Sequence, residues 1–193
     1  MKLCFATNNR HKLEEINHKL GEQHQLISLD DIGHSGELPE NQDTLEGNSL
    51  EKAQYIYDRY HINCFADDTG LLVKALNGAP GVLSARYAGP GKDSLANIQL
   101  LLKELAEETD RTARFTTIIT LIIDGKVQQF EGSVQGTIIK IPIGKEGFGY
   151  DPVFLPEGYD KTFAEMSLNE KNEISHRTRA VDKLVDFLIQ ARI

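Results

Sequence analysis

Residues 2–20 read KLCFATNNRHKLEEINHKL, and their pattern sets the expectation for the rest of the chain. The apolar run 2–6 has the length of a buried strand. Thr7-Asn8-Asn9 is a polar turn, after which Leu13, Ile16 and Leu20 recur at helical spacing. Strand, polar turn and amphipathic helix, with Asn8 or Asn9 able to cap, form the opening unit of an α/β sheet.

The same reading extends outward. A polar loop is expected over 33–47 and a helix over 48–60. A buried strand over 62–66 is expected to end at Asp67-Asp68-Thr69-Gly70. A short element over 71–76 leads into a stretch punctuated by Gly78-Ala79-Pro80-Gly81 and Gly89-Pro90-Gly91. Leu95, Ile98, Leu102 and Leu105 mark a third helix. Segments 114–123, 126–133 and 136–141 read as successive strands, the first two joined by an Asp124-Gly125 hairpin turn. A last helix starts near Ser175, with Val181, Leu184 and Leu188 on one face. Helices and strands interleave early and strands cluster later, so the expected fold class is α/β around a mixed sheet rather than a purely parallel one. There is no internal repeat and no evident linker, so 1–193 is expected to form a single domain, at most in two lobes.

Composition narrows the function. At 193 residues, 40% apolar and 26% charged, the chain has the makeup of a globular protein with a substantial core. A net charge of −8 and a pI near 5.3, without a basic tract, argue against gripping a nucleic-acid backbone or an anionic membrane surface. The apolar run 118–123 is far too short to span a bilayer. The N-terminal sequence has no secretory pattern, so the cytoplasm is the expected location. Cys4 and Cys64 stand apart from any CxxC or Cys/His motif and read as core thiols in a reducing compartment.

Two glycine motifs fail as nucleotide fingerprints. Gly89-Pro90-Gly91-Lys92-Asp93 lacks the first glycine and the hydroxyl residue of a phosphate loop, and Pro152 replaces the third glycine after Gly147-Phe148-Gly149. Four other features carry chemistry. The turn and helix start at Thr7-Asn8-Asn9-Arg10-His11-Lys12 offer backbone N–H groups and cations to an anion; read alone, the stretch is more often a capped helix with solvated basic residues. Acids crowd the segment from Glu37 to Glu51, including Glu40, and Asp67-Asp68 follow a buried strand. Carboxylates from separate segments suit magnesium when a substrate phosphate completes the shell. Phe148-Gly149-Tyr150-Asp151-Pro152 combines aromatics, glycine and acid, as a platform for a flat base would, or as an aromatic-anchored turn would. Finally, Lys171 is followed by Ser175-His176-Arg177, where cations in a first helical turn oppose the dipole unless a negative or oxygen-rich ligand faces them. Together these features describe a site for a magnesium–nucleotide polyphosphate.

On these residues the chain resembles the Ham1/inosine triphosphatase family. The matching stretches are ATNNRHKLEE (6–15), PENQDTLEGNSLEKA (39–53), FADDTGL (65–71), GAPGVLSARYAG (78–89), FGYDP (148–152) and EKNEISHR (170–177), in family order along the whole chain. The resemblance implies an elongated two-lobed α/β fold of mixed sheet and flanking helices, with the site in a cleft between lobes. It implies a magnesium-dependent homodimer that hydrolyses ITP, dITP and XTP to the monophosphate and pyrophosphate. Glu40 and Asp68 are then the magnesium ligands, with Asp68, or else Asp67, as base toward water; Asp67 is alternatively a further metal ligand. Thr7, Asn8, Asn9 and Lys12 then cradle the phosphates, with Lys52 a further cation, and Arg10, His11 and Thr69 are further substrate-binding residues. Phe148 stacks on the base, whose edge is read by Gly149, Tyr150, Asp151, Lys171, His176 and Arg177. Asn8 stands where the family has glycine, and its tolerance of left-handed angles is expected to preserve the turn. Thr69 replaces a serine and keeps the hydroxyl. Gly47 replaces a glutamate, for which Glu46 is the available substitute. Competing readings are a non-catalytic nucleotide-binding regulator, which has no need of the carboxylates, a Maf-type pyrophosphatase with other nucleotide preferences, and a nucleic-acid-binding module, disfavoured by the acidic balance.

Overall fold

A computed structural model describes residues 2–9, 12, 13, 16 and 25–191. Its strands are β1 (Lys2–Phe5), β2 (Gln25–Ile27), β3 (Cys64–Val73), β4 (Pro80–Gly81), β5 (Thr112–Ile123), β6 (Lys126–Ile138) and β7 (Phe154–Pro156). Its longer α-helices among the described residues are α1 (Leu45–Tyr60), α2 (Ser94–Glu104), α3 (Leu168–Ile174) and α4 (His176–Gln190). Lys12, Leu13 and Ile16 are also helical; Leu20 lies outside the described residues. The strands form one seven-stranded sheet in the order β2-β1-β3-β5-β6-β7, with β4 also on β3. β1 runs parallel to β2 and β3, whereas β4 is antiparallel to β3 and β7 to β6. The sheet is therefore mixed and flanked by helices, as the sequence pattern indicated.

The chain divides into two compact units, one of residues 1–68, 117–132 and 177–193, the other of residues 69–116 and 133–176. In the first unit β1 is buried on both faces, which is why its sequence is a continuous apolar run rather than an alternation. Leu3 and Phe5 face Ile16, Phe65, Val181, Leu184 and Leu188, while Cys4 and Ala6 face Ala53, Ile56 and Ala66. Phe5 and Phe65 stack at 4.5 Å. Cys4 lies opposite Cys64 in register; both are free, fully buried thiols, and burial pushes each up to about 12. In the second unit α2 sets Ile98 and Leu101 against Leu71, Val73, Phe115, Phe154 and Phe163. Each such buried aliphatic side chain contributes about 1.5–3 kcal/mol of transfer free energy. Among the described residues no helix is long and apolar enough to cross a membrane.

Several boundaries differ from the sequence expectation. The helix expected from residue 48 starts at Leu45, because Thr44 Oγ1 accepts the Gly47 N–H and caps it. The strand expected to stop at Ala66 runs on to Val73 and takes Asp67, Asp68, Thr69 and Gly70 into its interior. Two expected strands, 126–133 and 136–141, are one strand, β6. Gly136 does not break it; it makes room for β7, since a Cβ there would lie 2.5 Å from the Leu155 carbonyl and 2.6 Å from the Phe154 ring. Gly136→Ala should therefore destabilise the protein by about 1–3 kcal/mol through overpacking. A urea melt checks this, and an unchanged midpoint would refute the close approach. The helix α3 was not expected, although Ser167 and Glu170 form its capping box.

Candidate functional site

In the first unit, β1 ends at Phe5 and leads through Ala6 to Thr7, whose hydroxyl accepts the Asn9 N–H at 3.2 Å. Asn9 then caps the next turn, its carbonyl accepting from Leu13 at 3.2 Å and its Oδ1 from the Lys12 N–H at 3.4 Å. The strand–turn–helix opening read from the sequence is thus present. Asn8 does not take the left-handed conformation expected of it; its side chain donates to the Gly36 carbonyl at 2.9 Å and ties down the following loop. Arg10 and His11 lie outside the described residues.

The aspartates 67 and 68 are adjacent in β3, so their side chains leave on opposite faces. Asp67 points to the face of Lys12 and α4. Its buried carboxylate meets Lys12 Nζ at 2.8 Å and Arg177 Nε at 3.7 Å. Burial alone would raise its pKa, but Lys12 and Arg177 outweigh it and hold the carboxyl below the usual range. Asp68 points to the face of α1. There Lys52 Nζ lies 3.4 Å from Asp68 Oδ1 and 2.7 Å from Glu40 Oε1, and Asn48 Nδ2 donates to Asp68 Oδ2 at 3.1 Å. For Asp68 the balance reverses: burial, with Glu40 adding to it, outweighs Lys52 and Lys12 and raises its pKa. Lys52 is held charged, because Asp68, Asp67 and Glu40 together overcome its own desolvation. Two neighbouring carboxylates are thereby given different characters, one held ionised between cations, the other pushed up by burial despite Lys52.

The helix α1 supplies this face because its buried stripe, Leu45, Asn48, Ser49, Lys52, Ala53 and Ile56, is polar at one end and apolar at the other. Ser49 Oγ meets Thr120 Oγ1 of β5 at 2.6 Å and fixes the helix on the sheet. Asn48 escaped the sequence reading. The available signal was an asparagine four residues before Lys52, on the buried face, where asparagine is a poor helix former. Glu46 is exposed, and no contact puts it in the place of the glutamate that Gly47 lacks.

The second unit holds a separate cluster. Asp151 Oδ2 accepts from the Phe148 N–H at 2.9 Å and from Lys171 Nζ at 2.8 Å. Lys171 Nζ also lies 5.0 Å from the centroid of the half-buried Phe148 ring. Gly147, at φ 74°, is required, since a Cβ there would fall 2.0 Å from Asp151 Oδ2. Tyr150 is buried, and its hydroxyl donates to the Ser84 carbonyl at 2.9 Å. His176 stacks on Phe115 at 4.7 Å. Thr69 is half-buried in β3 and Gly149 is half-buried beside Phe148. Of the residues expected to read a base, Phe148, Gly149, Tyr150, Asp151, Lys171 and His176 belong to the second unit, and Arg177 belongs to the first, where it faces Asp67. The Tyr150 and Asp151 side chains are occupied internally.

Among the described residues no group of three or more His, Cys, Asp or Glu side chains could hold a metal by itself. Glu40 and Asp68 are nevertheless all-oxygen donors, and a small hard cation that keeps waters and takes substrate oxygens needs no more than one or two carboxylates. The donor set fits magnesium.

Fold and site together define an α/β protein that presents lysines and carboxylates side by side, the arrangement suited to an anionic ligand accompanied by a cation. The chain belongs to the Ham1 family, whose model matches residues 3–187. It is 52% identical over 192 residues to a dITP/XTP pyrophosphatase of Porphyromonas gingivalis, covering 99% of both chains. It is 50% identical over 187 residues to one of Flavobacterium psychrophilum, covering 97% of this chain and 98% of the relative. Among solved structures, the Ham1 protein of Staphylococcus aureus superposes with a TM-score of 0.92 at 36% identity, covering 99% of this chain and 100% of the other.

Proposed function

We propose that this protein hydrolyses the non-canonical purine nucleoside triphosphates dITP, ITP and XTP to the monophosphate and pyrophosphate, and so removes deaminated purines from the nucleotide pool. The observation that carries the reading is the buried Asp68 carboxylate, held by Asn48 and placed with Glu40 on Lys52. Relatives named for this activity match over nearly the whole chain.

In this reading Glu40 and Asp68 hold magnesium, which supplies charge neutralisation for the triphosphate when bound. Asp68 takes the proton of the water that attacks the α-phosphorus. The bond from that phosphorus to the bridging oxygen breaks, and pyrophosphate leaves with the electron pair. Lys12 and Lys52 face the charge that grows on the leaving group, and the Thr7–Asn9 turn offers further donors. Asp67 keeps Lys12 and Arg177 in place rather than taking the metal, because its oxygens already face those cations.

Phe148 supplies a face for the purine, with Lys171 and the backbone around Gly149 toward its edge. Hypoxanthine and xanthine carry an acceptor oxygen at position 6, which suits a cationic donor, whereas adenine carries a donor there. A mismatched buried polar group costs about 1–3 kcal/mol, or roughly tenfold to a hundredfold in rate. The functional unit is taken as a homodimer in the cytoplasm.

A panel of dITP, ITP, XTP, ATP, GTP and CTP, assayed for pyrophosphate with magnesium and with EDTA, tests the reading. Pyrophosphate should come from the first three, fall at least tenfold with ATP, and vanish with EDTA. Release of orthophosphate, or equal rates on ATP and ITP, would overturn it.

A further inference from the structure

Asn48 is 1% exposed and sits in the second turn of α1. Its amide is used at both ends. Nδ2 donates to Asp68 Oδ2 at 3.1 Å, and Oδ1 accepts the Gln42 N–H at 2.9 Å. The orientation is chemically forced, since a flipped amide would set its oxygen against a carboxylate and its NH₂ against an N–H. Gln42 lies two residues beyond Glu40, in a loop also held by Asn41, whose N–H and Nδ2 donate to Glu51 at 2.8 and 3.0 Å. Gly47 allows the loop this close, because a Cβ at 47 would fall 2.7 Å from Gln42 Cβ.

We propose that Asn48 is a positioning residue for the hydrolysis: one buried amide fixes the rotation of the Asp68 carboxylate and, from its other end, the loop that carries Glu40. With Oδ2 held by Asn48, Oδ1 is the oxygen turned toward Lys52 and available for a proton. This rests on the reading of Asp68 as the base, and it assigns a task to a residue that itself touches neither water nor phosphate.

Asn48→Asp separates the two ends, since it keeps an acceptor for the Gln42 N–H and removes the donor to Asp68. The full-length variant should melt below the parent, because it sets a second buried carboxylate against Asp68, so turnover is read per folded molecule and compared with the neutral Asn48→Ser. Its KM for ITP should stay within about threefold, while kcat falls roughly tenfold to a hundredfold. Should Asn48→Asp not fold, Asn48→Ser, smaller and neutral, carries the same comparison, with the same kcat loss expected. Parent-like kcat in a folded variant overturns the proposal. So does a loss confined to KM, or one that only tracks the unfolded fraction, because either describes scaffolding alone. If the parent itself releases no pyrophosphate from ITP, the assigned activity falls and takes this inference with it; an active parent with indifferent variants removes the inference alone.

Discussion

Asp68→Asn should leave a folded protein that releases pyrophosphate from ITP about a hundredfold to ten-thousandfold more slowly, the range lost when a positioned general base is removed. The substitution keeps the shape of the side chain and an oxygen for Asn48 Nδ2; it turns an amide NH₂ toward Lys52, which gives up that contact and still meets Glu40 at 2.7 Å. Burial already works against the charge of Asp68, so neutralising it removes an electrostatic cost that the native fold carries. The melting temperature should therefore be equal to or above that of the parent. Thermal melts and a coupled pyrophosphate assay read the two quantities separately. Turnover within tenfold of the parent would remove Asp68 from the chemistry, and a lower melting temperature would contradict the account of its surroundings.

Lys171→Met should produce the largest loss of stability, about 3–5 kcal/mol, because it takes the ammonium away from the buried Asp151 carboxylate while the Phe148 N–H still donates to Oδ2. For a chain of this size that corresponds to a drop of roughly 6–20 °C in melting temperature. Methionine fills the volume of the lysine stem, so the effect isolates charge from packing. The double variant Lys171→Met/Asp151→Asn should recover much of the loss, since no lone charge then remains inside. Urea unfolding of the parent, both single variants and the double variant makes a complete cycle. A loss below 1 kcal/mol for Lys171→Met, or no recovery in the double variant, would show that the pair does not organise this region.

Much of this architecture was legible in the sequence, for reasons particular residues make clear. Lys2–Phe5, the Asn9 cap and the Asp124-Gly125 turn obey local rules, so strand, helix start and hairpin were found where expected. Asp67 and Asp68 did not obey them. Two acids before a glycine read as a turn, yet tertiary cations, Lys12 with those of α1 and α4, make them tenable inside a strand. Pairing with β7 likewise carries β6 through Gly136, which local propensity would have taken as a break. For the site, residue types and family spacing pointed to Glu40, Asp67, Asp68, Lys12 and Lys52. They could not show that alternation along β3 would send the two aspartates to different cations, nor that Asn48 would stand between Asp68 and the Glu40 loop. Those facts depend on which faces meet.

The facing thiols of β1 and β3 offer a practical consequence. Both cysteines of the chain lie in the first unit and the second unit has none. A thiol-modifying dye added to the native protein can therefore react only as fast as that unit opens, and its uptake over time becomes an intrinsic clock for the opening of one half of the molecule, with no label to engineer.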